Sequence, residues 1–213
     1  MRNRLLAGAS ALLLGACSVV GVRSGTEEPA FDLWEQANGL EIRRYAPRLA
    51  AETEVAADEA ASREQGFRLL AGYIFGGNRG AVRIAMTAPV AQEAVSPQPV
   101  RIAMTAPVAQ SATASGYRIR FFLPAALRDP PVPEDPRVRV VEVPAETVAV
   151  LRFSGSTSPQ SVADATARLR AALGDTTWQA KGPATAWFYD PPWTIPALRR
   201  NEVAVPVVRR RAS

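Results

Sequence analysis

The chain has 213 residues, enough for one domain of ordinary size or two fused halves, and 47% of them are hydrophobic, which allows a substantial core. Its formal charge of +5 comes almost wholly from arginine, and it has a single cysteine and no histidine, which excludes Ser-His-Asp and Cys-His catalysis and the usual zinc set. The arginines are scattered and alternate with apolar residues, as at Arg118 and Arg120 or Arg137 and Arg139, so they read as the solvated face of strands and not as a nucleic-acid-binding patch.

In chain order, Arg2 and Arg4 precede an apolar run, Leu5 to Leu14, that ends in Leu14-Gly15-Ala16-Cys17. A basic start, a short apolar run and small residues form a bacterial export signal. The run is well short of the roughly 20 residues that span a bilayer. Leu-Gly-Ala-Cys resembles a lipobox, which implies a signal peptide over residues 1–17 and a lipidated Cys17. The alternative is a secreted protein with a spare cysteine. Ser18 stands where an inner-membrane retention Asp would be, so the resemblance implies outer-membrane sorting, with the body facing the periplasm. Residues 18–30 read as a flexible tether, and residues 31–213 as a single folded domain.

Within that body, Leu40 to Ala46 and Leu49 to Ala56 read as strands around Pro47. Asp58 offers an N-cap to a helix whose face is Ala60, Arg63, Phe67, Leu70 and Ile74, and Gly76-Gly77 stop it. A strand over Val82 to Gln92 and another over Tyr117 to Leu123 follow. After a Pro-rich crossover, Pro124 to Pro136, the plan repeats. Val138 to Val143 and Thr147 to Phe153 are strands. Ser158-Pro159 start a helix that Gly174 closes, and Ala184 to Tyr189 and Glu202 to Val208 are the last strands. The fold class is α+β: two strand-strand-helix-strand-strand halves form a curled, barrel-like mixed or antiparallel sheet with two main helices outside.

One motif is exactly duplicated. Val82-Arg83-Ile84-Ala85-Met86-Thr87-Ala88-Pro89-Val90-Ala91-Gln92 returns unchanged as residues 100–110. One place in a fold cannot hold both copies, so either a hairpin strand is added or one copy is a loop. The short connection from Ser111 to Gly116 suggests that the second copy pairs with the next strand.

The run Ile-Ala-Met-Thr-Ala-Pro-Val resembles the signature of the SOUL family, the haem-binding-protein-like domains. Glu41-Ile42-Arg43-Arg44-Tyr45, Gly72-Tyr73-Ile74-Phe75-Gly76-Gly77-Asn78, Tyr189-Asp190-Pro191-Pro192-Trp193-Thr194 and Arg199-Arg200-Asn201-Glu202-Val203 agree with it in order. The resemblance spans roughly Phe31 to Val208 and implies the same α+β fold. It also implies that haem or another tetrapyrrole binds against the first helix. Its ligand residues would be Arg63, Phe67, Leu70, Tyr73, Ile74, Met86 and Met104, with Arg63, Arg68 and Arg79 toward the propionates. Without histidine, Met86, Met104 or Tyr73 would have to ligate iron, or apolar contact alone would hold the ring.

The remaining chemistry is sparse. Glu52 and Glu54, two apart on one strand face, read as solvent-facing and not as an acid–base pair. Gly76-Gly77-Asn78-Arg79-Gly80 follows a helix instead of opening one, so it reads as a cap and not as a phosphate cradle. Asp190 is expected to stabilise a turn, and Arg199-Arg200 with Asn201-Glu202 to lock the last strand by ion pairs. The functional expectation is a non-enzymatic, lipid-anchored envelope protein that binds a tetrapyrrole and no nucleic acid. The alternative is a structural or interaction module of the same fold that binds no haem.

Overall fold

A computed structural model describes residues 25–95 and 116–210. Cys17 with its lipobox, most of the tether, and the second motif copy with Met104 lie outside the described residues. In chain order the elements are β1 (Phe31–Ala37), β2 (Leu40–Tyr45), β3 (Arg48–Val55), α1 (Glu59–Ile74), β4 (Val90–Val95), β5 (Gly116–Phe122) and β6 (Arg139–Val143). There follow β7 (Glu146–Phe153), α2 (Pro159–Gly174), β8 (Trp178–Ala180), β9 (Thr185–Phe188), a 3-10 turn (Pro196–Leu198) and β10 (Asn201–Arg209).

All the strand pairings are antiparallel and form one sheet in the order β1-β2-β7-β10-β9-β4-β5-β3-β6, with β8 also on β10. The order shows the two halves. β4-β5-β3 and β9-β10-β7 are equivalent blocks joined at β4–β9. The first strand of each half crosses over: β2 pairs with β7, and β6 with β3. The sheet curls without closing, and β1 and β6 are its ends.

Side-chain alternation along the strands gives the sheet two working faces. On the helix face, α1 packs on β3 and β5, and Leu70, Tyr73 and Ile74 bury against Ile119 and Phe121. α2 packs on β7, β8 and β10 through Leu169 and Leu173, against Ile42, Val203 and Val205. The intervening positions, among them Tyr45, Phe122, Val148, Trp187 and Ala204, form a third cluster on the opposite, concave face.

Most expected boundaries hold to within two residues. The Asp58 carboxylate caps α1 by accepting from the Ala61 amide at 2.9 Å, and the Ser158 hydroxyl caps α2. Two strands, β1 and β8, were not expected. β1 leaves Phe31, Leu33 and Trp34 exposed, so it lacks the alternation of a half-buried strand.

The buried face of α1 is a correction. It is Ser62, Gly66, Leu70, Tyr73 and Ile74, rotated from the expected stripe. Gly66 is the cause. A Cβ there would stand 2.4 Å from Ile119 Cγ1, so the helix approaches β5 at the one position without a side chain, and Phe67 is turned outward. We expect Gly66→Ala to be destabilising. Overpacking costs about 1–3 kcal/mol, against the roughly 1 kcal/mol by which alanine favours a helix over glycine. Paired with Ile119→Ala, its cost should shrink, which urea denaturation of the two single variants and the double will measure.

The expected strand over Val82 to Gln92 is also corrected, since regular pairing begins only at Val90. Before it the backbone bonds go to separate partners. The Ile84 amide donates to Ile74 O at 2.8 Å and the Ala88 amide to Glu27 O at 2.9 Å. The Thr87 hydroxyl donates to Phe122 O. Pro89, after a cis peptide bond, has no amide to give to a ladder.

Candidate ligand surface

α1 ends at Ile74 with Phe75 as its C-cap, and Gly76 turns the chain at a φ of +117°, a conformation that favours glycine. Asn78, fully buried, then fixes the return. Its Nδ2 donates to Tyr73 O at 2.9 Å and Val82 O at 2.8 Å, and its Oδ1 accepts from the Val82 amide at 3.0 Å. The Arg79 amide donates to Val132 O. The glycine-rich stretch is therefore a helix cap, as expected, and the segment from Asn78 to Ile84 is held beside the helix end.

The residues expected to line a pocket divide into two groups. Leu70, Tyr73 and Ile74 are core, each at most 2% exposed. The Tyr73 hydroxyl donates to Pro131 O at 2.9 Å, and burial pushes its pKa up, so it is not placed to ligate iron. Arg63 is a brace. Its Nε donates to Gln92 Oε1 at 2.8 Å, and its other nitrogens to Thr157 O at 2.9 Å and Glu59 at 3.2 Å. Its guanidinium also lies 4.0 Å over the Phe188 ring. That set ties α1 to β4 and to the lead-in of α2, and removes Arg63 from the candidate propionate partners.

Phe67 and Met86 face solvent, 40% and 38% exposed. The Phe67 ring stands edge-on to Phe121 with centroids 5.3 Å apart, which holds it by its inner side and leaves the outer side open. Phe75 and Val82, near the helix end, are exposed too and were missed. Both lie in quoted motifs, but nothing in the spacing shows that the chain leaves them outside. Arg68 is exposed and paired only loosely with Glu64, at 3.6 Å; Arg79 and Arg83 are exposed too.

The concave face holds a cavity of about 430 Å³, ringed by side chains of β3, β4, β5, β6, β7, β9 and β10. Its charged wall corrects the reading of Glu52 as solvent-facing. Glu52 is 4% exposed and meets Arg120 Nε at 2.6 Å and Arg139 Nη2 at 3.0 Å. Glu54 receives Arg118 Nη2 at 2.9 Å, and this bond, outweighing partial burial, holds its pKa down. Glu93 lies 3.6 Å from both Arg118 and Arg120. The lining carries four carboxylates, Glu52, Glu93, Glu142 and Glu146, against two guanidiniums, Arg118 and Arg120. Arg139 and Arg48, outside the lining, also pair Glu52 and Glu146, so the charges of the wall are matched among themselves and the volume alone does not make the cavity a haem site.

Beside this cavity sits a buried polar cluster. Glu202, fully buried, accepts from Arg43 at 2.7 and 3.0 Å, from the Tyr189 hydroxyl at 2.7 Å and from Arg200 Nε at 3.0 Å. The expected Arg200–Glu202 lock is thus part of a larger knot, and Asp190 stabilises its turn by accepting from the Arg200 amide at 2.6 Å. Burial, then the charge of Glu202, drives the Tyr189 pKa well above its ordinary value. Every partner of Glu202 is a donor already in place, so the knot is structural. Among the described residues no three acidic, histidine or cysteine groups converge as a metal site.

Compared with known proteins, residues 26–206 match the family model described as SOUL heme-binding protein. Among solved structures the chain is similar to the crystal structure of the EcmrR C-terminal domain, with a TM-score of 0.55 at 10% identity, covering 80% of this chain and 98% of that one. EcmrR in its DNA complex gives 0.58 at 9% identity, covering 97% and 68%. An uncharacterised conserved protein from Listeria innocua gives 0.53 at 10% identity, covering 82% and 95%. At these identities the likeness is one of fold. No curated protein matches the chain.

Proposed function

Because the chain belongs to the SOUL heme-binding protein family, we propose that it is a non-enzymatic binding protein for haem or a similar flat tetrapyrrole, anchored in the bacterial envelope through Cys17. The observation that carries the site is the outward turn of Phe67. Gly66 takes the inner position on α1, so an aromatic ring is left exposed on the helix beside fully buried Leu70. The residues present fit the group in part. Phe67 and Met86 supply apolar contact, Arg68, Arg79 and Arg83 supply cations for propionates, and the Met86 thioether is the candidate iron ligand among the described residues. Bound there, haem brings an iron able to hold the thioether. The chain's own part is to shield one face of the ring and to neutralise its carboxylates.

Support for a non-enzymatic role comes from the carboxylates. Glu52, Glu54 and Glu202 are held by arginines, which leaves them poor general bases. Support for the anchor comes from the sequence around Cys17. Cys17→Ser is expected to abolish palmitate labelling and to move the protein out of the membrane fraction. Unchanged labelling would end the lipoprotein reading.

The binding test is a haemin titration of the full chain carrying Cys17→Ser, followed at the Soret band. A saturable one-to-one change is expected, weakened at least tenfold by Phe67→Asp. A response no different from that of an unrelated basic protein would favour the fold module that binds no tetrapyrrole.

A further inference from the structure

The loop between β9 and β10 is a feature that the binding reading does not use. From Pro191 to Leu198 it runs Pro-Pro-Trp-Thr-Ile-Pro-Ala-Leu, without a charged residue. Thr194 is buried, but Trp193, Ile195 and Leu198 are 63%, 45% and 47% exposed. We propose that this loop docks the domain on a lipid bilayer, on the side where the tether arrives. The proposal rests on the reading of Cys17 as a membrane anchor.

The loop is braced, so its apolar side chains are held out in water. Its ends are closed on each other: the Tyr189 amide donates to Arg200 O at 3.3 Å and the Arg200 amide to Asp190 Oδ2 at 2.6 Å. Within it the Thr194 amide donates to Pro191 O at 3.1 Å and the Leu198 amide to Ile195 O at 2.9 Å. Arg199 spans it, with Nε donating to Thr194 O at 2.8 Å and Nη2 to Pro192 O at 2.6 Å. The Gly155 amide donates to Pro196 O at 2.9 Å and ties the loop to the turn after β7. Exposed apolar residues on so fixed a backbone mark an interaction surface.

The path of the chain identifies the partner. Arg200 Nη1 donates to both carboxylate oxygens of Glu28 at 3.0 Å, and Arg200 is the residue that closes the loop. The tether therefore meets the body at the base of the loop. Eleven residues run from Cys17 to Glu28, a span of about 17–20 Å for a flexible chain. The radius of gyration of a body of this size is about 16 Å, so a lipid on Cys17 keeps the bilayer close to this side. The loop then meets it at an effective concentration on the order of millimolar, and a weak contact is sufficient.

The composition suits a bilayer. Tryptophan favours the membrane–water interface, and isoleucine and leucine contribute by apolar transfer. Arg199 is occupied by the loop and Arg200 by Glu28 and Glu202, so the docking does not depend on anionic lipid. Another exposed apolar stretch, β1, also follows the tether. Its aromatic rings are partly covered, with Arg43 4.5 Å over Phe31 and Arg44 4.3 Å over Trp34.

The test uses the full chain with Cys17→Ser and Trp34→Phe. Trp178 and Trp187 are buried, so Trp193 is then the exposed tryptophan. Vesicles of phosphatidylcholine brominated on its acyl chains quench a tryptophan that enters them, and they report on the loop whatever the residues before position 17 do. Trp193 emission is expected to fall on these vesicles and to shift to the blue on unbrominated ones, undiminished by high salt. Ile195→Asp and Leu198→Asp should each weaken the quenching at least tenfold, while Leu33→Asp, on β1, leaves it within twofold. Absence of quenching, with or without vesicle binding, would overturn the proposal, as would quenching that Leu33→Asp removes and Ile195→Asp keeps. A dimer in vesicle-free solution that Ile195→Asp dissociates would also overturn it and assign the loop to a second copy of the chain. Position 17 carries no thiol in this test, so its result is independent of the palmitate labelling that tests the anchor, and the two readings fail separately.

Discussion

Glu202→Gln is expected to lower stability by about 3–5 kcal/mol, the range for breaking one side of a buried ion pair. Glu202 lies on β10, and the Arg43 that forks onto its two oxygens lies on β2. β7 runs between those strands, so the pair bridges the sheet across a strand. Gln keeps the shape but leaves the two outer nitrogens of the Arg43 guanidinium, itself only 3% exposed, without their carboxylate, Glu41 on Nε at 2.7 Å being the counter-charge that remains. It also sets an amide NH₂ against a donor. Urea denaturation monitored by far-UV circular dichroism measures the loss. A cost under about 1 kcal/mol, the range of exposed pairs, would show that the knot is not a stability element.

The same carboxyl fixes a pH dependence. Burial alone would raise its pKa, but the Arg43 bond and charge, the Tyr189 hydroxyl and Arg200 outweigh it, so the folded value lies below the ordinary 4.5. A depressed carboxyl contributes stability that is fully present above the unfolded pKa and lost as pH falls through the folded one. Wild type should therefore lose stability below about pH 4.5 more steeply than Glu202→Gln does, and the two denaturation midpoints should converge in acid.

Asn78→Ala is expected to cost about 2–3 kcal/mol, because it removes three hydrogen bonds and leaves the Tyr73 carbonyl with the long bond from the Gly76 amide, at 3.4 Å. The effect should begin locally. Asn78 holds the return that presents the Ile84 amide to Ile74 O, so exchange of the Ile84 amide should accelerate more than exchange in β10. Asn78→Asp should be no better, since it turns a carboxylate oxygen toward two carbonyls. Equal acceleration at both sites would mean that Asn78 stabilises only the global fold.

Much of the fold was legible because its signals are local. Asp58, Ser158-Pro159 and Gly76 mark helix ends by their own chemistry, and the alternation of Tyr117 to Leu123 marks a half-buried strand. The two-half plan followed from element order. The face of α1 was not legible. Its rotation depends on Ile119, 53 positions beyond Gly66, and a glycine inside a helix does not announce a close contact. Nor was the loss of the motif strand before Val90, where the Ile84 and Ala88 amides go to Ile74 and Glu27 and the Thr87 hydroxyl to Phe122, and not to a strand ladder. The same distance effect hid the concave wall. Alternating Arg118 and Arg120 look solvated until strand pairing sets Glu52 opposite Arg120 and Glu93 opposite Arg118. Of the pocket residues implied by the family, burial reassigns Leu70, Tyr73 and Ile74 to the core and Arg63 to a brace. Phe67 and Met86 are the two that stay exposed.

The most direct test sets the two surfaces against each other in one haemin titration. Phe67→Asp disables the outer side of α1, and Thr185→Trp fills the concave cavity, whose lining includes Thr185. Binding at α1 predicts that Phe67→Asp weakens the saturable Soret change at least tenfold while Thr185→Trp leaves it within twofold. The reverse pattern, with affinity lost in Thr185→Trp and kept in Phe67→Asp, would contradict the account and move the ligand to the concave face.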